Sequence, residues 1–260
     1  MHTPLIILGA KGRMGSTITT LALADPALEV KALIEREEKL KEIELSQPFK
    51  TSSLEEALQK FPGSVVIDFT TPKVSLDTAR LCANLQGKAV IGTTGFSPEE
   101  ISILKDLAQK TPLLLAPNMS VGINVLLKIL PQLVTLLGEQ YDLEISEIHH
   151  KFKKDAPSGT ALKLAECLAA ARKVELKEVA RYCREGIIGQ RPAGEIGLQT
   201  LRGGDVVGDH TVYFFGPGER IEVTHRAHSR ETFAQGALRA AKWLYTKPAG
   251  KLYSMADVLS

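Results

Sequence analysis

Over the first 120 residues, short apolar runs alternate with segments whose apolar positions recur at helical spacing. Residues 5–8, 30–34, 65–69, 89–91 and 113–115 are such runs, too short for core helices, and they predict buried strands. Residues 14–24, 73–85 and 98–110 predict helices, the last two announced by Pro or Ser. Strand and helix taking turns is the pattern of a parallel sheet covered by helices. Residues 121–137 predict one more helix, after which the texture changes. Residues 141–150, 196–202, 211–215 and 220–226 alternate or run apolar, with Gly216-Pro217-Gly218 as a hairpin-type connection. Residues 184–195 are rich in Gly and Arg without period and read as a loop. Residues 232–245 return to helical spacing, apolar at Phe233, Ala237, Ala240 and Leu244, which suits packing back on the first sheet. The expected architecture is therefore α/β, with residues 1–120 and 232–260 in one domain and an α+β unit of residues 121–231 inserted into it.

Three of the predicted strands end in small or polar loops: Phe69-Thr70-Thr71-Pro72, Gly92-Thr93-Thr94-Gly95 and Ala116-Pro117-Asn118-Met119. Ligands of open α/β sheets lie beyond the carboxyl ends of strands, so a cofactor is expected against these loops. Between the first strand and the first helix stands Gly9-Ala10-Lys11-Gly12-Arg13-Met14-Gly15. Its glycines permit a tight turn and close backbone approach to a pyrophosphate, which a helix N-terminus also favours electrostatically. Lys11 occupies the middle glycine position of the dinucleotide-binding pattern. Glu35 follows at the end of the second strand, where an acid can hydrogen-bond an adenosine ribose. Arg36 beside it, assisted by Lys11, is placed to neutralise a 2′-phosphate, so NADPH is the expected cofactor, with NADH also accepted. The first domain is thus read as a Rossmann-type nucleotide-binding domain.

Bulk composition adds mainly exclusions. Thirty-two Lys and Arg against 30 Asp and Glu leave a net charge of +2, too balanced to point to nucleic acid or a membrane surface. Three cysteines, Cys82, Cys167 and Cys183, lack C-x-x-C spacing and suit neither a disulfide framework nor a zinc ribbon. No apolar run resembles a signal peptide or approaches membrane-spanning length, so a reducing, cytoplasmic setting is expected.

The balance conceals a local block. From His149 to Lys154 the chain carries two histidines and three lysines with no acid, between an apolar strand and a helix start at Ser158-Gly159-Thr160. Ser158 is suited to cap that helix, leaving the N–H groups of Gly159 and Thr160 to meet an anion such as a carboxylate. Histidine titrates near neutrality and serves as a general acid, and a lysine ammonium donates protons or stabilises developing negative charge. Adjacent His149 and His150 leave an extended strand on opposite sides, so one faces a reacting centre while the other packs or contacts a carboxylate. No metal site is expected, since neither a His-x-x-x-His helix nor a cysteine partner is present. His210, His225 and His228 read as satisfied surface or interface histidines, Cys82 as core, and Asp68 as a residue that shapes its loop.

With both segments in view the sequence closely resembles the 4-hydroxy-tetrahydrodipicolinate reductase (dihydrodipicolinate reductase) family of bacterial lysine and diaminopimelate biosynthesis. The resemblance runs nearly end to end. It is carried by G-A-x-G-R-M-G at 9–15, Glu35-Arg36, I-G-T-T-G-F at 91–96, N-x-S-V-G-x-N at 118–124, H-H-x-x-K-x-D-A-P-S-G-T at 149–160, G-x-H-T at 208–211 and S-R-x-T-F at 229–233. It implies a nucleotide-binding domain closed by the C-terminal helix and a central mixed domain that binds substrate and mediates a homotetramer. It implies reduction of a cyclic dicarboxylate, derived from aspartate semialdehyde and pyruvate, to tetrahydrodipicolinate with release of water. Carried over by position, His149 would be the catalytic acid and Lys153 the second proton donor. His150, Lys153, Gly159 and Thr160 would hold the substrate carboxylates. Gly9, Ala10, Lys11, Gly12, Arg13, Met14, Glu35, Arg36, Gly92, Thr93, Thr94, Ala116, Pro117, Asn118 and Met119 would line NADPH or NADH.

Two rival readings keep the same sheet. An aspartate-semialdehyde or homoserine type dehydrogenase is one, although an acylating member needs a loop cysteine nucleophile that this sequence lacks. A non-catalytic nucleotide-responsive regulator is the other, and it would have no reason to pair a basic His-His loop with an anion-ready helix start.

Overall fold

The computed structural model describes residues 2–260. In chain order the elements are β1 (Thr3–Leu8), α1 (Arg13–Ala24), β2 (Leu28–Ile34), α2 (Glu37–Leu40), β3 (Phe49–Thr51), α3 (Leu54–Lys60), β4 (Val65–Asp68), α4 (Pro72–Asn84), β5 (Lys88–Ile91), α5 (Pro98–Leu107) and β6 (Leu113–Leu115). They continue with α6 (Val121–Leu137), β7 (Asp142–His149), α7 (Gly159–Ala171), α8 (Leu176–Val179), β8 (Ala180–Arg181), β9 (Ile196–Arg202), β10 (Gly208–Gly216), β11 (Glu219–Ala227), α9 (Glu231–Tyr245), β12 (Leu252–Tyr253) and α10 (Met255–Val258). Two compact units result, one made of the residues up to Val121 together with Arg230–Ser260, the other of Gly122–Ser229.

The first unit is built on a seven-stranded sheet of order β12-β6-β5-β4-β1-β2-β3, paired in parallel throughout. Its short apolar strands are buried on both faces, and the period of two divides them between two cores. Leu5, Ile7, Val65, Ile67, Val90 and Leu114 join a cluster with the apolar faces of α1 and α9. Ile6, Val66, Ala89, Ile91 and Leu113 join another with α3, α4 and α5. Each fully buried Leu or Ile contributes about 1.5–3 kcal/mol to this burial. The chain moves from β1 to β2 on one side and returns to β4 on the other, so the order reverses at β1. The loop after β1 therefore opens at the crevice where such sheets bind ligands.

Alternation alone does not disclose residues 37–60, where the structure adds α2, the edge strand β3 and α3, the last capped by Ser53 accepting from the Glu56 N–H. It also extends the second strand back to Leu28 and adds β12 at the far edge. Such short segments carry too few positions to express a period.

The second unit is a five-stranded mixed sheet of order β11-β10-β7-β9-β8. β10 runs antiparallel to both β11 and β7, and the Gly216-Pro217-Gly218 connection closes the hairpin with Gly216 opposite Glu219. Leu143 and Ile145 of β7, Ile196 and Leu198 of β9, and Val212 and Phe214 of β10 turn to one face and pack with Ala161, Leu164, Ala165, Leu168 and Ala169 of α7. The i, i+3, i+4, i+7, i+8 spacing of those α7 residues is the apolar stripe of a helix lying on a sheet.

Candidate active site

In the first unit the glycine loop is a tight structure. Gly9 adopts φ +71°, its N–H donates to the Ile34 carbonyl at 2.9 Å, and the Gly12 N–H donates back to the Gly9 carbonyl at 2.9 Å. A methyl group on Gly15 would sit 2.0 Å from the Gly9 carbonyl oxygen, so only glycine lets α1 start this close to the strand. Gly12 caps α1 without any side-chain hydrogen bond and no acid occupies the first turn, which leaves the helix start suited to an anion. Glu35 is drawn over this loop: Oε2 accepts from the Lys11 N–H at 2.9 Å and Oε1 from the Arg36 N–H at 2.9 Å. The Lys11 ammonium is turned to the Glu42 carbonyl at 3.1 Å, while the Arg36 side chain is exposed and lies 3.5 Å from Glu38. Arg13 is exposed and Met14 packs against the core, beside buried Ala10.

Three further loops follow β4, β5 and β6. The Gly92 N–H donates to the Asp68 carbonyl at 2.8 Å, and a methyl on Gly92 would meet the Phe69 ring at 2.1 Å. Thr93 is buried and accepts from the Ser75 hydroxyl at 2.8 Å, whereas Thr94 is exposed. Asp68 shapes its loop by accepting from the Thr70 N–H and hydroxyl, and burial pushes its carboxyl pKa up. After β6, Ala116 and Met119 are buried and Pro117 is exposed, while Asn118 turns the chain by accepting from the Ser120 N–H at 2.8 Å. Gly236 of α9 lies so close that a methyl there would be 1.8 Å from the Met119 carbonyl, so the C-terminal helix holds this loop.

In the second unit the basic segment leaves β7. His149, the last strand residue, turns inward and is buried, while the His150 N–H donates to the Val206 carbonyl at 2.8 Å and its ring stays half-buried. Lys151, Phe152 and Lys154 are exposed, whereas the Lys153 ammonium is half-buried and pairs with Asp155 at 2.9 Å. Ser158 caps α7 by accepting from the Ala161 N–H at 3.1 Å. A methyl on Gly159 would meet nothing within 4 Å, so the start of the helix opens onto free space.

Beneath this surface lies a polar cluster that the sequence reading did not assemble. Glu147, two residues before His149 and on the same face of β7, is 1% exposed, and its Oε2 lies 2.6 Å from His149 Nδ1. Arg202 of β9 grips the same carboxylate with both terminal nitrogens, each at 2.8 Å, and the Ser158 N–H donates to Oε1 at 2.9 Å. Burial alone would raise the pKa of Glu147, but the hydrogen bonds from His149, Arg202 and Ser158 together bring it down to about 2. His210 of β10 lies with its Nε2 3.1 Å from the Ser158 hydroxyl and its ring edge-on to His149, centroids 5.2 Å apart. It is therefore no surface histidine. Burial first, then the neighbouring His149 charge, lowers its pKa to about 3, so it is neutral at physiological pH. His225 is half-buried and His228 exposed. Cys82 is buried, which pushes its thiol pKa up and suits a core role.

Two family descriptions together match nearly the whole chain. Residues 3–119 match the family description "Dihydrodipicolinate reductase, N-terminus" and residues 122–259 match "Dihydrodipicolinate reductase, C-terminus". The chain belongs to the dihydrodipicolinate reductase family. It is 61% identical over 259 residues to the 4-hydroxy-tetrahydrodipicolinate reductase of Oleidesulfovibrio alaskensis, covering 100% of both chains. It is 59% identical to that of Nitratidesulfovibrio vulgaris, covering 99% of this chain and 100% of the relative. In fold it is similar to a dipicolinate-bound dihydrodipicolinate reductase from Paenisporosarcina sp. TG-14, with a TM-score of 0.78, 24% identity and 98% of each chain covered. The dihydrodipicolinate reductase fold pairs a parallel Rossmann-like sheet with a mixed-sheet domain, as here. With its family the chain is a 4-hydroxy-tetrahydrodipicolinate reductase, an NAD(P)H-dependent oxidoreductase of lysine biosynthesis.

Among the described residues, no group of three or more His, Cys, Asp or Glu side chains is placed to hold a metal ion. Among them, too, no helix is long and apolar enough to cross a membrane.

Proposed function

We propose that the family reaction is carried out here with His149 as the catalytic acid and Lys153 as a second proton donor. The observation that carries this reading is that the His149 ring and the start of α7 are bonded to one carboxylate, that of Glu147, so a proton donor and an anion-binding helix terminus share one place in the second unit. Gly159 and Thr160 at that terminus, with His150 and Lys153 from the basic loop, hold the carboxylates of a small cyclic dicarboxylate. Fixed donors of this kind orient the dianion before reaction and exclude poses in which His149 is out of reach.

The nicotinamide cofactor, when bound, supplies a hydride to the unsaturated ring. The electron pair displaced in the ring is then quenched by a proton from His149. Lys153 neutralises charge on the substrate and donates the second proton, to the ring hydroxyl that departs as water while the neighbouring ring carbon releases a proton. The glycine loop, Glu35 and the loops at Gly92–Thr94 and Ala116–Met119 would line the cofactor, with Glu35 meeting the ribose and with Arg36 and Lys11 turning from Glu38 and Glu42 to meet a 2′-phosphate. Both NADPH and NADH are accepted.

Support for homotetramer formation comes from the second sheet, whose face opposite α7 presents the stacked Tyr213–Phe215 pair and exposed Leu201.

The reading is tested by following NAD(P)H oxidation when the protein meets the fresh condensation product of pyruvate and aspartate semialdehyde. Turnover is expected with both nucleotides, and none with either would sink the assignment. Arg36→Ala is expected to weaken NADPH binding and leave NADH binding unchanged.

A further inference from the structure

We infer that Glu147, held by Arg202, is the positioning residue that decides which nitrogen of His149 gives up the proton. The inference rests on the reading of His149 as the acid and adds a residue that acts only through it.

The Glu147 carboxylate is saturated with donors. Oε1 accepts from the Ser158 N–H at 2.9 Å and from Arg202 Nη2 at 2.8 Å, while Oε2 accepts from Arg202 Nη1 at 2.8 Å and faces His149 Nδ1 at 2.6 Å. An ionised carboxylate can only accept, so the short contact requires a proton on Nδ1. With Nδ1 committed, Nε2 is the nitrogen that takes up and delivers the second proton. A Cβ on Gly208 of β10 would lie 2.9 Å from Nε2, so a side chain there would crowd the atom that does the work.

The same carboxylate couples two parts of the site. Its other oxygen holds the N–H of Ser158, the cap of α7, so the ring and the anion-binding helix start are set by one group. Arg202 also donates to the Asp155 carbonyl at 2.7 Å, tying in the loop that carries Lys153. The charged or titratable groups around the ring are Glu147 on its own strand, Arg202 on β9, His210 on β10 with His225 on β11 near it, and the Lys153–Asp155 pair of the loop. Of these, Glu147 alone bonds Nδ1.

Imidazole nitrogen NMR on the full-length, ¹⁵N-histidine-labelled protein, with His149 assigned by difference, reads the tautomer directly. A protonated Nδ1 and an unprotonated Nε2 are expected in the neutral ring, and a predominant Nε2–H form overturns the inference. Kinetics give a second readout. Glu147→Gln places an amide N–H against Nδ1 and so favours the opposite tautomer. It is expected to lower kcat about a hundredfold or more with KM changed less than about threefold, and to move the alkaline limb of the pH profile to lower pH. Glu147→Asp, which keeps the charge, is expected to recover part of that loss. Wild-type kcat and pH profile in Glu147→Gln also overturn it. Should that variant fail to fold, the wild-type spectrum still decides. If the wild type shows the Nδ1–H form but no turnover, the proposed roles in catalysis fail and the positioning geometry stands.

Discussion

His149 and Lys153 differ in how the protein treats them. His149 is sunk beneath the surface and gripped on one nitrogen, whereas Lys153 sits in the loop with one carboxylate partner, Asp155. Removing either side chain deletes a proton donor from the proposed reaction. His149→Ala and Lys153→Ala are each expected to lower kcat about a hundredfold or more in steady-state assays, with unchanged circular dichroism. Wild-type kcat in both would reject the roles. His210 makes a separate prediction about stability. The folded protein refuses a proton that the unfolded chain takes up below the ordinary value of 6.5, so stability is undiminished above 6.5 and falls as pH drops toward about 3. Glu147 acts in the same direction lower down, its pairing lost as pH falls from 4.5 toward about 2. Between pH 6.5 and 4.5 the loss per pH unit is at most about 1.4 kcal/mol for His210. Urea unfolding of His210→Gln is expected to show a shallower slope than wild type across that window, and equal slopes would mean that His210 titrates normally. The E-x-H spacing of 147–149 is itself visible in the sequence, since residues two apart in a strand share a face. Arg202, 55 positions beyond Glu147, carries no such signal.

Among the elements, α7 joins stability to the proposed binding most directly. Ser158 caps it through its hydroxyl, contacts His210 with the same oxygen and donates its N–H to Glu147. Ser158→Ala therefore removes the cap and leaves a buried imidazole nitrogen without that partner. A stability loss of about 1 kcal/mol or more is expected in thermal or urea unfolding, with a raised KM for the dicarboxylate. A variant unchanged in both would show that the cap contributes nothing to the site. The glycine loop was legible because its spacing is local and its position between strand and helix follows from periodicity. The aperiodic segment 184–195 was legible only as a loop. In the folded chain Arg184 pairs with Glu144 at 2.7 Å and also with Glu195, and Arg191 pairs with Asp142 at 2.6 Å and Glu144 at 3.1 Å. Room for the Glu144 carboxylate comes from Gly197, where a Cβ would lie 1.9 Å from Oε2. Long-range ion pairs order this segment, and no spacing rule announces them.

For the molecule as a whole, the near-neutral net charge of +2 coexists with a basic loop at residues 149–154, proposed to meet a dicarboxylate. Its central sheet has a second face of different character, with Ser146 and Tyr213 hydroxyls 3.1 Å apart and Phe215 exposed beside them. If copies associate through that face, sedimentation will give a mass about four times that of the 28.3 kDa chain, and Phe215→Asp will shift it to smaller species by placing a charge in the contact. A monomer in wild type would exclude the tetramer.

The sequence by itself determined the alternation of strand and helix, the glycine turn at the first crossover, the return of the last helix and the basic loop before a capped helix. Each of these is written in residues close together along the chain, where period and cap chemistry act directly. Only the tertiary structure decided that Glu147 and His210 meet His149 while Arg202 and Ser158 hold Glu147, because the pairing of β7 with β9 and β10 brings distant residues onto one sheet face. Register between strands is a property of the folded chain, and it turned His210 from an expected surface histidine into a buried neutral neighbour of the proposed acid.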